Sequence, residues 1–307
     1  MITFYQKTVT TRRLKKIDEF KVGAWVHVEE PNEGELDRLA ADLQLDRGLL
    51  SDAIDPYEVP RVETDAETTY FFTRIPYEEG GRIQTAPVLF GIAPNFVFSV
   101  SHRALPFFDS FIDGRIELHT TQKIRFILKM LAEVDTAYYR YITIINKEVR
   151  KMQAKLHHTI SNRDIIRFVH LETVLSDMND ALVPTNTALS NIISGKFLSL
   201  FEEDKEYAED VFLANNQLVE LCRINLRAIM NIRNAYSTIM TNNLNRVIKL
   251  LTGLTIVLTI PTITVNLYGM NVPLPFQDSP HAFWIIMGIA TVLTGLALWL
   301  FSRKHWL

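Results

Sequence analysis

The stretch NLYGMNVPLP, Asn266 to Pro275, carries no charge, yet it breaks apolar sequence with a glycine, two asparagines and two prolines. It closes a run from Leu250 to Gln277 that holds no Asp, Glu, Lys, Arg or His, and a second such run follows from Ala282 to Ser302. A helix needs about 20 apolar residues to cross the hydrocarbon core of a bilayer, so each run is long enough to span. A bare membrane hairpin has no need of asparagine at its turn. The stretch therefore asks for a purpose beyond anchorage.

The flanking charges orient the two spans. Arg246 and Lys249 precede the first, and Arg303, Lys304 and His305 follow the second. The linking segment, Val272 to His281, has no Lys or Arg and one acid, Asp278. Excess Lys and Arg stay on the cytoplasmic side. The expected topology is therefore a multi-pass plasma-membrane protein with both termini cytoplasmic and the linking segment outside.

The 307-residue chain is 48% hydrophobic, with net charge -3 and mean hydropathy +0.06. The apolar excess is concentrated after residue 249. The N-terminal segment MITFYQKTVTTRRLKK lacks an apolar core and does not read as a signal peptide. A single cysteine, Cys222, excludes an internal disulfide and suits a reducing compartment.

Residues 1–120 read as an α/β domain. GAWVHVE (23–29), TTYFFTRIPY (68–77), GRIQTAPVLFGIAP (81–94) and NFVFSVSH (95–102) are strand-like runs, and PNEGELDRLAADLQL (31–45) has helical periodicity. Short sequential strands with tight turns favour a largely antiparallel sheet with helices beside it. Residues 121–206 read as a helical arm of two long antiparallel helices. The first carries the stripe Ile124, Ile127, Leu128, Leu131, Val134, Asp135 and Tyr138. A break at HHTISNRD follows, with Ser161 or Asn162 as N-cap, and the second helix runs from Ile165 to about Ile193 across Pro184. The acidic segment Glu202 to Asp210 reads as a turn. A third helix, starting near Tyr207 or Glu209, meets no Pro or Gly until Gly253 and is expected to continue to Tyr268 as stalk (207–268) and first span (about 248–268). Residues 269–281 form the outer loop, 282–302 the second span and 303–307 a basic tail.

Along that third helix, steps of four and three residues pass through Asn234, Thr238, Thr241, Asn245, Ile248, Thr252, Thr255, Thr259, Thr262 and Asn266; nine of the ten are Asn or Thr. This is a heptad seam that continues into the apolar run. Thr in a membrane helix often bonds its own i-4 carbonyl and small residues pack helix pairs. A register this long, extended by Asn at both ends, instead points to a face exposed to water or partners. Two spans cannot enclose a pore, so a pore needs a ring of subunits with the seam inward. Ile248 and Leu251 are the apolar constriction candidates. Lys249, Arg303 and Lys304 are the basic gating candidates.

Immediately after the seam come Tyr268, Gly269, Met270 and Asn271. A Tyr-Gly-Met-Asn sequence after a first span, before a short loop and a second span, resembles the CorA-type magnesium channel family. The tail FSRKHWL (301–307), the segment DAIDPYEVPRVE (52–63) and the junction NNLNRVIKLLT (242–252) resemble the same family, and the resemblance covers essentially the whole chain. It implies an α+β membrane protein assembled as a homopentameric funnel. It also implies Mg2+ as transported and regulatory ion, with Co2+ and Ni2+ as secondary ions. Gly269, Met270, Asn271 and Tyr268 would select the hydrated ion, and Gly269 would supply the backbone freedom that ends the helix. Asn245, Ile248, Leu251, Thr252, Thr255, Thr259, Thr262 and Asn266 would line the pore. The resemblance places Asp210 and Asp52 on an acidic regulatory metal site between neighbouring cytosolic domains.

Two other readings stand beside this one: a Zn2+ transporter of the same superfamily, and a two-span anchored sensor or scaffold with a coiled-coil stalk. The latter requires apolar a and d positions where this chain has Asn and Thr. An enzyme is not expected. His102, His119, His157, His158 and His170 lack metal-ligand spacing, and no phosphate-binding glycine loop occurs. Membrane lipid and divalent cations are the expected partners; nucleic acid and organic cofactors are not.

Overall fold

The computed structural model describes residues 1–8, 13–154, 162–276 and 279–304. His157, His158, Ser161, Asp278 and the tail His305 to Leu307 lie outside the described residues. Among the described residues seven strands and seven helices follow one another: β1 (Ile2–Gln6), β2 (Lys15–Ile17), β3 (Trp25–Glu29), α1 (Glu33–Leu43), α2 (Arg47–Asp52), β4 (Arg61–Asp65), β5 (Thr68–Glu79), β6 (Arg82–Ile92), β7 (Val97–Ser101), α3 (Asp109–Ile112), α4 (Lys123–Ala154), α5 (Asn162–Ile193), α6 (Glu202–Tyr268) and α7 (Ala282–Arg303). The chain divides into two compact units, residues 1–232 and 233–307.

In the first unit all seven strands form one sheet, in the order β2-β1-β3-β7-β6-β5-β4. Only the β3–β7 pair is parallel; the others are antiparallel. The longest ladder joins β5 to β6 across Gly80-Gly81, whose φ angles of 58° and 76° suit a two-residue hairpin turn that residues with a Cβ rarely accept. Gly91 sits opposite Phe98 on β7, and the Phe98 ring occupies the space where a Cβ would stand.

Alternation along the strands covers both faces of the sheet. Val26, Val28, Tyr70, Phe72, Leu89, Phe98 and Val100 pack with Leu36, Leu39 and Leu50 of α1 and α2. Asn32 and Glu35 close a reciprocal capping box at the start of α1, at 2.9 and 3.1 Å, and Asp46 caps α2 through the Leu49 N–H. On the other face Trp25, Phe71, Ile75, Val88 and Phe90 meet Phe126, Met130 and Leu131 of α4, and the same core continues through α5 and the first part of α6 to Ile232. The unit is a three-layer arrangement with a mixed sheet.

Cross-helix bonds fix the helix directions. Arg125 meets Asp204 at 3.5 Å and Asp135 meets Asn215 at 3.0 Å, so α4 and the start of α6 run parallel. Glu148 near the end of α4 pairs with Arg167 near the start of α5 at 2.6 Å, which makes those two antiparallel.

The structure corrects the reading of Glu202 to Asp210 as a turn. These residues are the first turns of α6, which begins at Glu202 rather than near Tyr207 or Glu209. Glu202, Glu203 and Asp204 occupy its first turn, where carboxylates complement the unpaired N–H groups and the positive end of the helix dipole. Strands β1, β2 and β4 and the short helices α2 and α3 were not expected from the sequence.

In the second unit, α6 continues without a break through Pro261 to Tyr268, and α7 spans 22 residues, about 33 Å at 1.5 Å per residue. Both helices are long and apolar enough to cross a membrane, with mean hydropathy 1.8 and 2.1 over their most apolar windows. Their apolar side chains are mostly exposed: Leu251 by 62%, Leu258 by 61% and Val292 by 69%. A soluble core helix would bury such residues, so these belong in lipid or against partners.

Candidate functional site

The membrane part of α6 has one covered stripe. Gly253 and Val257 are buried, and Ile260, Pro261, Thr264 and Tyr268 are half-buried; in α7 the buried position is Ala290. At 3.6 residues per turn, the stripe through Gly253, Val257 and Thr264 lies roughly 180° from that through Thr255, Thr259, Thr262 and Asn266. Asn245, Ile248, Leu251, Thr252, Thr255, Thr259, Thr262 and Asn266 are all exposed. The Asn/Thr seam thus lies on the open side of α6, opposite the covered stripe.

The threonine hydroxyls donate along their own helix. Thr255 Oγ1 bonds the Leu251 carbonyl at 2.9 Å, Thr259 that of Thr255 at 2.8 Å and Thr262 that of Leu258 at 2.9 Å. Thr264, off the seam, and Thr291 and Thr294 on α7 do the same. Back-bonding therefore does not set the seam apart; its direction does. With the hydrogen committed to the backbone, each seam hydroxyl keeps oxygen lone pairs free to accept from water.

At the end of α6 the Gly269 N–H still bonds the Val265 carbonyl at 3.0 Å, and the Met270 N–H bonds Leu267 at 3.4 Å. Gly269 does not adopt a positive φ, and an added Cβ would meet only ordinary contacts at 3.5 and 3.6 Å. The expectation that glycine freedom ends the helix is therefore corrected. Beyond the helix end, Pro273 and Pro275 lack amide protons and hold the residues before them out of helical geometry, so the helix cannot resume in this loop. Tyr268 ties the loop back to its helix, its hydroxyl donating to the Pro275 carbonyl at 3.3 Å. Met270 and Asn271 are exposed on that tethered loop. Among the basic candidates, Lys249, Arg303 and Lys304 are all exposed, and the Arg303 guanidinium lies 5.4 Å from the centre of the Trp299 ring.

In the first unit, Asp52 ends α2 and accepts from Arg61 at 2.8 Å. The same guanidinium pairs with Glu58 and Glu63 and lies over Phe72. Asp210 is exposed on α6. One chain does not bring Asp52 and Asp210 together, and among the described residues no group of three or more His, Cys, Asp or Glu side chains could hold a metal ion.

One group went unassigned in the sequence. Asp135 lies buried between α4 and α6, accepts from the Asn215 amide at 3.0 Å, and leaves its Oδ2 and the Asn215 Oδ1 without partners. Burial raises its carboxyl from 3.8 to about 7, and the Asn215 bond opposes that shift. With Asp210, Tyr139 and Tyr207 it lines a cleft of about 370 Å³. The signal was present as a lone acid on an apolar stripe.

Comparison with known proteins places these features in a family. The chain is 22% identical over 296 residues to the cobalt/magnesium transport protein CorA of Methanocaldococcus jannaschii, covering 92% of this chain and 91% of that one. It is 24% identical over 253 residues to the magnesium transport protein CorA of Helicobacter pylori, covering 77% and 75%. The complete structure of the CorA magnesium transporter from Methanocaldococcus jannaschii superposes with a TM-score of 0.88 at 19% identity, covering 100% of this chain and 99% of that one. Full-length CmaX gives 0.77 at 17% identity, covering 99% and 97%. The family model described as CorA-like Mg2+ transporter protein matches residues 20–304. The chain belongs to this family of membrane-embedded divalent-cation transporters, which are not enzymes.

Proposed function

We propose that the chain forms a homopentameric channel that admits hydrated Mg2+, and secondarily Co2+ and Ni2+, down the membrane potential. The observation that carries this reading is the open Asn/Thr face of α6, which leads without interruption to a tethered loop presenting Asn271. Mg2+ sheds its water reluctantly. A ring of neutral Asn271 carbonyls accepts hydrogen bonds from that water without stripping it, and binding stays weak enough for release. Tyr268, Gly269 and Met270 frame the ring. The seam from Asn266 through Thr262, Thr259, Thr255 and Thr252 to Asn245 passes the hydrated ion, and Ile248 and Leu251 close the pore by dewetting. The potential supplies about 2.3 kcal/mol per charge per 100 mV, roughly 4.6 kcal/mol for a divalent ion.

Both termini lie in the cytoplasm, on the Lys/Arg distribution. The chain divides in this reading into cytosolic domain (1–120), arm (121–206), stalk with first span (207–268, its helix beginning earlier, at Glu202), outer loop (269–281), second span (282–302) and basic tail (303–307). Regulation by cytosolic Mg2+ uses Asp52 of one subunit and Asp210 of the next. Among the described residues a single chain supplies no donor set of three or more, so such a site draws on two subunits. Ion binding there competes with the Arg61 pair for Asp52. A zinc reading has less support: the Methanocaldococcus and Helicobacter relatives carry cobalt and magnesium names, and likeness to the ZntB cytoplasmic domain, at 8% identity, speaks to fold alone.

The test is Mg2+ flux into vesicles under an inside-negative potential. Wild-type protein is expected to load the vesicles, and Asn271→Ala to abolish uptake or its ion selectivity. Unaltered, selective uptake by the variant would remove the role given to the loop.

A further inference from the structure

Among the described residues, the basic side chains at the membrane ends of α6 and α7 lie far in sequence from any acid. After Glu220 the sequence holds no Asp or Glu until Asp278, and Arg246 and Lys249 fall in that interval. Arg246, Lys249, Arg303 and Lys304 are exposed and take part in no ion pair among the described residues. They also share a level. From Tyr268 back to Lys249 is 19 residues of helix, and from Ala282 to Arg303 is 21; both start from the same loop, so at 1.5 Å per residue the two ends differ by about 3 Å. Trp299 stands one turn before Arg303, 55% exposed, with the guanidinium over its ring. A half-exposed indole next to a cation is the side-chain pairing of a membrane–water interface.

We propose that Lys249, Arg303 and Lys304, supported by Arg246, hold the phosphate of an anionic phospholipid headgroup, with Trp299 at the glycerol level beside it. The occupant is a lipid and not a free phosphate because the cations sit at the ends of apolar, outward-facing helix surfaces. Leu296, Leu298 and Leu300 are all exposed just before them, so acyl chains and headgroup are met by one continuous surface. Basic residues next to a spanning helix each favour an anionic headgroup by about fivefold in affinity, on the order of 100-fold for three. The inference rests on the membrane reading of both helices but not on which side of the membrane they end, because detergent micelles have no sides.

Purified full-length protein in a neutral detergent would be titrated with short-chain phosphatidylglycerol, phosphatidylcholine or inorganic phosphate, following the thermal midpoint. Phosphatidylglycerol is expected to raise it saturably, with apparent affinity well over tenfold tighter than phosphatidylcholine, and inorganic phosphate to leave it unchanged at equal concentration. The variant Lys249→Gln/Arg303→Gln/Lys304→Gln is expected to lose that preference while keeping the wild-type midpoint in detergent alone. Equal response to both lipids overturns the proposal, as does an undiminished phosphatidylglycerol preference in the variant. An equal effect of inorganic phosphate overturns the lipid as ligand. If the triple variant fails to fold, Lys304→Gln alone decides: at the helix end, it is expected to weaken phosphatidylglycerol binding about fivefold, and no weakening counts against the site.

Discussion

Replacing Asp135 by Asn tests the burial of a carboxyl between α4 and α6. The group is 6% exposed, and its carboxyl sits at about 7 against an ordinary 3.8. The sign follows from which state keeps the proton. In the unfolded chain Asp135 ionises near its ordinary value, while in the folded chain it stays protonated to about pH 7. Between those values the folded state binds more protons, so its stability falls as pH rises through this window and levels off above pH 7. A difference of about three pH units corresponds to on the order of 4 kcal/mol. Asn at 135 keeps the size and a polar partner for Asn215 but removes the titration. The variant is therefore expected to match the wild type near pH 4 and to exceed it by up to about 4 kcal/mol at pH 8. Denaturant midpoints in micelles at pH 5, 6, 7 and 8, read by circular dichroism, give the difference between the two proteins at each pH. A difference that stays constant from pH 5 to 8 would refute a raised Asp135, whatever its absolute value.

The other predictions concern the site and the sheet. Asp52→Asn and Asp210→Asn, tested singly and together, are expected to shift inhibition by internal Mg2+ to higher concentration; an unchanged inhibition curve removes both from regulation. Uptake measured side by side for Mg2+, Co2+, Ni2+ and Zn2+ is expected to rank Zn2+ last, and a Zn2+ preference would favour the zinc reading instead. Gly91→Val drives a side chain into the Phe98 ring and is expected to destabilise the first unit by about 1–3 kcal/mol, seen as a lower denaturant midpoint with transport retained in whatever protein folds.

The parts legible in the sequence were those where composition acts alone. The spans showed because long uncharged runs have few alternative fates, and α6 ended at Tyr268 as its pattern required. The seam was legible because its period is exposed and nothing in the first unit overrides it. The strands that escaped notice include both edges of the sheet. β2 reads Lys-Lys-Ile and β4 reads Arg-Val-Glu-Thr-Asp, and charged edges that resist further pairing look like loops. The acid run at Glu202 misled for a related reason: carboxylates suit a helix N-terminus as well as they suit a solvated turn. Asp135 could be seen as an oddity on its stripe, but its unpaired oxygen depends on Asn215, 80 residues away, and no local pattern carries that.

The continuity of α6 also constrains how such a chain can change in length. Its backbone passes from Glu202 to Tyr268 with no intervening loop, so the phase of the seam is set by residue counting along a single helix. One residue inserted between Ile232 and Asn245 turns every later position by about 100° and sends the asparagine and threonine face sideways; seven inserted residues restore it to within about 20°. Insertions and deletions in this stretch should therefore be tolerated in sevens and rejected in ones and twos. A loop would absorb any number, whereas this helix keeps count.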